Sequence, residues 1–396
     1  MDSRVVSASA EAGGRAESGN EAAVSAWLDT LAAVEPLEDL DFDTSLVRRL
    51  ERRCAERASG HRHRIRLHTP SFKSYQTSEL PRCGKQQWPA VSVTGADCAL
   101  QCDHCKARIL APMVAAPTPE RLWAVASEAV AAGARGLLLS GGSNRHNEVV
   151  FTPFYGVLRH IKDTFPEFRI AAHTGLVTPA TASDLSEAGV DVAMLDIIGA
   201  QETVTQVYHL RRKVADFERA LAALVATKMS VVPHVVVGLH YGRVLGELTA
   251  LEMIARHAVD AVVLVVVMPQ YASPKRPFAT PDADAVGHLF AQARELLPAT
   301  PLLLGCARPA GGLKARIDAY AVMAGFDALA HPSDGAVELA LRLGHDVSVV
   351  PSCCAVGLGD EWVLTDESEP VLRADLEILR QQRATSAPLG VDRPRT

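Results

Sequence analysis

From Trp88 onward the chain repeats one pattern: a short apolar run, a glycine-rich or polar break, then a longer stretch with apolar positions every three or four residues. The apolar runs at 90–93, 136–139, 169–173, 192–197, 231–237, 261–267, 301–305 and 327–330 read as strands. The periodic stretches 119–132, 153–164, 181–188, 216–227, 244–256, 282–296 and 313–323 read as amphipathic helices. Eight strands alternating with helices predict an α/β protein of the (β/α)8 barrel type, and the near-continuous apolar strands fit a parallel sheet buried on both faces. An open (β/α)6 partial barrel is the alternative. In either case chemistry belongs at the carboxyl ends of the strands.

Upstream, Val24, Trp27, Leu28 and Leu31 fall on one helical face, and Leu46, Val47, Leu50 and Cys54 on another. These predict an N-terminal helical extension over 23–85, ahead of a barrel over 86–340 and a C-terminal segment over 341–396. The segment 48–66 carries eight arginines against two glutamates. It reads as a solvated helix face followed by a loop, with a carrier-protein docking surface as the alternative. Residues 1–22, rich in Ala, Gly and Glu, lack the apolar core of a secretory signal and read as a disordered tail.

Composition narrows the class. A net charge of −6 with 22% charged residues argues against a nucleic-acid binder with a broad cationic surface. No apolar stretch reaches the roughly 18 to 20 residues of a membrane span, so a cytoplasmic enzyme is expected. Its eight cysteines should then stay reduced and serve metal or redox chemistry rather than disulfides.

Three of them form Cys98-x3-Cys102-x2-Cys105 on the loop after the first strand, and no fourth follows until Cys306. Structural zinc and ordinary ferredoxin sites take four protein ligands, so three thiolates on one loop imply a metal centre with an open coordination position. A zinc site completed by Asp103, His104 or the distant His173 is the alternative. The second strand ends in Ser140-Gly141-Gly142-Ser143, where missing Cβ atoms allow backbone to approach a ligand. His173 closes the third strand and Asp196 the fourth; Asp196 is a candidate ribose or carboxylate-network residue, or a buried helix cap. Arg211 and Arg212 are candidates to reach a carboxylate or to form surface ion pairs. Cys306, at the seventh strand's end, and the adjacent Cys353 and Cys354 are either apolar filler or ligands of a second iron-sulfur centre. Arg308 is a candidate partner of that centre, and Cys54 and Cys83 are spare ligands.

The cysteine loop resembles the radical S-adenosylmethionine (SAM) superfamily. Together with 69–75 and 89–95 it resembles the biotin-synthase-like branch, and within that the second component of two-component lipoyl synthases, over roughly 70–357. The resemblance implies that Cys98, Cys102 and Cys105 hold three irons of a 4Fe-4S cluster whose fourth iron takes the amino and carboxylate groups of SAM. It further implies that His104 lies near the adenosine and that Gly141 and Gly142, with Ser140 or Ser143, meet the amino end of SAM. Val236 to Gly238 would lie against adenine, with Pro269 on the pocket rim. The implied reaction is sulfur insertion into an octanoyl chain on a lipoyl-domain carrier protein, fed by an auxiliary iron-sulfur cluster. A sibling radical SAM protein and a reductant such as ferredoxin or flavodoxin would be partners. Another radical reaction (mutase, epimerase or C–C bond formation) and a non-catalytic iron-sulfur or zinc scaffold are the competing functions.

Overall fold

The structure, a computed structural model, describes residues 25–57, 63–69, 77, 79–80, 88–350 and 352–356, and the backbone of 369–370. The expected tail 1–22, the motif residues 70–75 and Cys83 lie outside these. Two helices, α1 (Ala26–Ala32) and α2 (Thr44–Arg57), precede strand β1 (Arg64–His68). The first half of the repeat is β2 (Ala90–Ser92), β3 (Val114–Ala115), α3 (Pro119–Ala131), β4 (Gly136–Ser140), α4 (Tyr155–Thr164), β5 (Arg169–His173), α5 (Pro179–Glu187), β6 (Val192–Met194), α6 (Gln201–Gln206) and α7 (Val214–Val225). The second half is β7 (Ser230–Val231), β8 (His234–Val237), α8 (Glu247–Ala255), β9 (Val262–Val266), α9 (Ala283–Leu296), β10 (Leu302–Leu304), α10 (Gly312–Met323), β11 (Ala328–Ala330), α11 (Ala336–Arg342), β12 (Asp346–Val350) and β13 (Glu369–Pro370).

All eight expected strands are present. The fifth divides into β7 and β8 around Pro233, which has no N–H to give to a ladder. The two sheets run β3-β2-β4-β5-β6-β7 and β13-β12-β1-β11-β10-β9-β8. A parallel bridge between Asp196 and His234 joins them, with Ile197 N–H donating to His234 O and His234 N–H to Leu195 O, both at 2.8 Å. The helix starts follow from their caps: Thr118 and Thr178 each accept from the N–H three residues on, with Pro at the next position, and Asp282 likewise accepts from Ala285 N–H at the start of α9.

The barrel is partial. On the far side of β11 lies β1 rather than β2, and β1 also pairs with β12 in parallel register, His68 opposite Ala330 and Val350. Among the described residues no ladder joins β2 or β3 to β12 or β13. The segment 64–68 was expected as a loop of the helical extension and is instead a sheet strand, because Ile65 and Leu67, 0% and 1% exposed, alternate with Arg64, Arg66 and His68. Glu79, also fully buried, accepts the N–H groups of Gly335, Val337 and Glu338 and so caps α11. That carboxylate pins the N-terminal segment to the barrel's last helix.

The sheet carries two apolar layers. The outer one packs the helices against Leu137, Ile170, Leu264 and Leu304. The inner one contains Trp88, Ala171, Met194, Val263, Leu303, Ala330 and the turn Cys353–Val356. The turn therefore fills the inside of the barrel, and the space left above it is where the cysteines gather.

Candidate active site

The cysteine loop leaves β2 through a tight turn. Ser92 Oγ donates to Gly95 O at 2.7 Å and Thr94 Oγ1 to Asp97 O at 2.8 Å, while Gly142 N–H donates to Thr94 Oγ1 at 2.7 Å. Ala99 N–H reaches Ser143 O at 2.9 Å. A Cβ on Gly142 would lie 1.8 Å from Asp97 O and 2.6 Å from Cys98 Cα. Gly142 is thus required by the cysteine loop's own backbone, where the sequence suggested a bound ligand. Gln101, Lys106 and Ala107 adopt left-handed φ of 46–61°, a conformation that costs non-glycine residues energy and tends to persist where the surroundings fix it.

Asp103 supplies much of that fixing. Its buried carboxylate accepts from Lys106 Nζ (2.8 Å), Arg276 Nη1 (2.9 Å) and Tyr241 Oη (3.1 Å), with His209 Nε2 at 3.2 Å. Burial works to raise its pKa, but these partners outweigh it and hold the carboxyl at about 2. Asp103 N–H also bonds to Val207 O, and Ser273 N–H to Asp103 O. A carboxylate so engaged is no zinc ligand. Among the described residues no three His, Cys, Asp or Glu side chains form a ready single-ion site.

The carboxyl ends of the strands enclose a cavity of about 320 Å³. Cys98, Cys102 and Cys105 line it, as do His104, Ser140, Gly141, Gly142, His173, Asp196 and Val236. Cys306, Cys353 and Cys354 line the same cavity. Gly238 does not: it makes a left-handed turn with φ of 77°, its N–H donating to Glu247 Oε1 at 2.8 Å. Met268 and Tyr271 reach the cavity on either side of the expected rim residue Pro269. Arg211 is exposed, and Arg212 lies 3.5 Å from Glu148 on an outer groove between α5 and α7, away from the thiols. Arg308 is committed elsewhere, buried against Asp318 at 2.5 and 3.1 Å and bonded to Gly305 O and His331 O, so it is not aimed at the second set of cysteines. Cys54 sits on α2, outside the cavity lining.

The polar wall of the cavity is a cluster that the sequence only partly disclosed. His173 Nε2 lies 3.5 Å from Asp196 Oδ1, each with somewhat over a quarter of its side chain open. Tyr208 Oη lies 3.5 Å from Asp196 Oδ2, its ring 5.2 Å from that of His104, and the His234 ring is 5.3 Å from that of His173. Burial raises the Asp196 carboxyl, but His173, His234 and His104 overcome it and hold it at about 2. Burial lowers His173, yet Asp196 lifts it above the usual imidazole value. His234, half-buried and facing His173, is lowered by desolvation and by His173 to about 4. Tyr208 and His234 carry no sequence signal of their own; only the approach of α6 and β8 to β6 brings them in.

The donor chemistry fits iron-sulfur ligation. Burial, then the nearby Cys105 and Cys98, push Cys102 well up. Burial also raises Cys105, but the charge and hydrogen bond of His104 bring it below the usual thiol value. In the second set, Cys353 is lowered by the Cys354 hydrogen bond, and Cys354 is raised by the same bond, by burial and by Cys306. Each set is a group of soft donors in which ionising one thiol opposes the next, a conflict that a bound cationic centre removes.

No protein-family model matches the chain, and neither does any curated protein. Solved structures do. The FeFe-hydrogenase maturase HydG from Carboxydothermus hydrogenoformans is 15% identical with a TM-score of 0.52, over 81% of this chain and 75% of that one. A second HydG structure is 13% identical with a TM-score of 0.51, over 78% and 68%. Methylornithine synthase (PylB) is 15% identical with a TM-score of 0.49, over 78% and 82%. At such identities the likeness is one of architecture, and the chain shares the fold of the HydG maturases.

Proposed function

We propose that this protein is a radical SAM enzyme with two iron-sulfur centres, acting in sulfur insertion into an octanoyl chain held on a lipoyl-domain carrier. The observation that carries the reading is that both sets of three cysteines, far apart in sequence, line one cavity at the carboxyl end of the strands. Bound there, a 4Fe-4S cluster on Cys98, Cys102 and Cys105 would supply the electron that cleaves SAM to methionine and a 5'-deoxyadenosyl radical, and a second cluster on Cys306, Cys353 and Cys354 would supply sulfur. The chain's own residues do the rest. Asp196 and His173 present a charged, hydrogen-bonding wall to the polar groups of SAM. Val236, Val263, Val265 and Met268 make the remainder apolar and exclude water that would quench a radical. A sibling radical SAM protein and a low-potential reductant complete the reading.

The test is anaerobic. Reconstituted and reduced protein should form 5'-deoxyadenosine from SAM and transfer sulfur to an octanoyl-lysine peptide, seen as a mass gain. Nucleoside without sulfur transfer would replace this reading by a mutase, epimerase or C–C bond-forming reaction. No nucleoside at all would leave a non-catalytic scaffold.

A further inference from the structure

Below the cavity the inner face of the barrel is apolar: Ala171, Met194, Val232 and Val263 pack with the turn that carries Cys353 and Cys354. One step toward the carboxyl ends, side-chain alternation makes His173, Asp196 and His234 the next inward residues. The ladders set them at the level of that layer, His173 opposite Met194 and His234 opposite Val263, with Asp196 bridged to His234. Two of these three polar residues satisfy one another. His173 lies 3.5 Å from Asp196, and Tyr208 turns to the same carboxylate.

His234 is different. Its Nδ1 lies 3.1 Å from Val232 O. A carbonyl only accepts, so in the neutral ring Nδ1 carries the proton and Nε2 keeps the lone pair. No hydrogen bond reaches Nε2 among the described residues, and the residue lines the cavity beside Val236, Val263 and Val265. Placing an imidazole acceptor on that apolar wall without a partner costs about 1 to 3 kcal/mol, where another valine would have cost nothing. A histidine with one N–H tied to a backbone carbonyl and its other nitrogen facing a cavity is the arrangement that suits a metal ligand. The donors nearest in the layering are the second set of cysteines. Cys353, Cys354 and Cys306 pack in the inner layer with Val232 and Val263, which flank His234 along the chain and across the ladder. Cys102 and Cys105 pack in the outer layer. Three thiolates leave one iron of a four-iron centre without a protein ligand, and Arg308, the sequence's candidate for that place, is held by Asp318. We propose that His234 Nε2 is the fourth protein ligand of the centre held by Cys306, Cys353 and Cys354. The inference rests on the two-centre reading above. A neutral imidazole leaves that centre one negative charge lower than a fourth thiolate would.

The test uses the full chain with Cys98→Ala/Cys102→Ala/Cys105→Ala, so that iron taken up anaerobically belongs to the second centre. Protein made with ordinary or nitrogen-15 histidine is cryoreduced by γ-irradiation and measured by pulsed EPR. The inference expects about four irons per chain and a directly bound nitrogen whose coupling changes with the isotope. That coupling should vanish in His234→Ala and in His234→Cys, the latter keeping full iron, and should persist in His173→Gln. The same isotope comparison on the two-centre protein without SAM, with and without His234→Ala, covers any folding defect of the triple variant. A loaded second centre with no histidine nitrogen, or a coupling that survives His234→Ala, would overturn the assignment while leaving the two-centre reading in place. A wild-type protein that never takes up more than about four irons would overturn that reading itself.

Discussion

Cys98, Cys102 and Cys105 share one loop, whereas Cys306 and the Cys353–Cys354 pair come from the ends of two strands, β10 and β12. The first set is gripped from several sides: by Thr94 and Gly142, by Ser143, and by Asp103 reaching the loops after α6, β8 and β9. The second set lies on a turn that fills the inside of the barrel, beside β1. His68 Nδ1 of that strand lies 3.3 Å from both the carbonyl and the hydroxyl of Ser352, just ahead of Cys353. The contrast separates two ways of placing ligands. A local motif carries its own scaffold, while a dispersed set depends on the whole edge of the sheet.

The largest effect expected follows from the closest contact. Gly142→Val places a branched side chain where Asp97 and Cys98 backbone already lie, so the first set should lose its centre. Iron should drop from about eight to about four atoms per chain, the count for cysteine-held 4Fe-4S centres, with SAM cleavage lost. Replacing Cys306, Cys353 and Cys354 by Ala should also remove about four irons, but with the opposite outcome: SAM cleavage persists and sulfur transfer disappears. Full iron and full product in that variant would reduce these cysteines to core packing.

Acid should then distinguish the two regions. Burial holds His68 and His345, on the β1 and β12 edge, at about 4. A folded pKa below the unfolded value near 6.5 means the unfolded chain binds more protons. The stabilisation is complete above about pH 6.5 and is lost as pH falls toward about 4. Hydrogen exchange followed from pH 7 to 4.5 should show β1 and β12 opening before β4 and β5; uniform opening would contradict the dependence on that edge. The smallest effect belongs to Asp103→Asn, which keeps the shape but leaves Lys106 and Arg276 without their charge partner. SAM affinity should fall about tenfold with iron content unchanged. An unchanged affinity would show that the cysteine loop holds itself.

How much of this was legible in the sequence follows from the same contrast. The eight strands, their helices and the first cysteine set announce themselves through local periodicity and spacing. β1 was hidden because its two apolar residues sit in an arginine-rich stretch, and with it went His68 and the reason β11 meets β1 rather than closing onto β2. Gly142 was singled out for a ligand, but its tight fit against the Asp97 backbone was not, since only the fold brings Asp97 against it. The wall formed by Asp196, His173, His234 and Tyr208 depends on four segments meeting, and single residues on separate segments leave no pattern to read. Arg308 looked available because Asp318, its partner, lies a helix away.

On the function proposed above, the cysteine loop and the cavity above it cleave SAM reductively. The direct measurement is 5'-deoxyadenosine released by anaerobically reconstituted, dithionite-reduced protein, compared with Cys102→Ala. Nucleoside from the wild type and none from the variant is the predicted result; a wild type carrying its full iron and yielding none would contradict it.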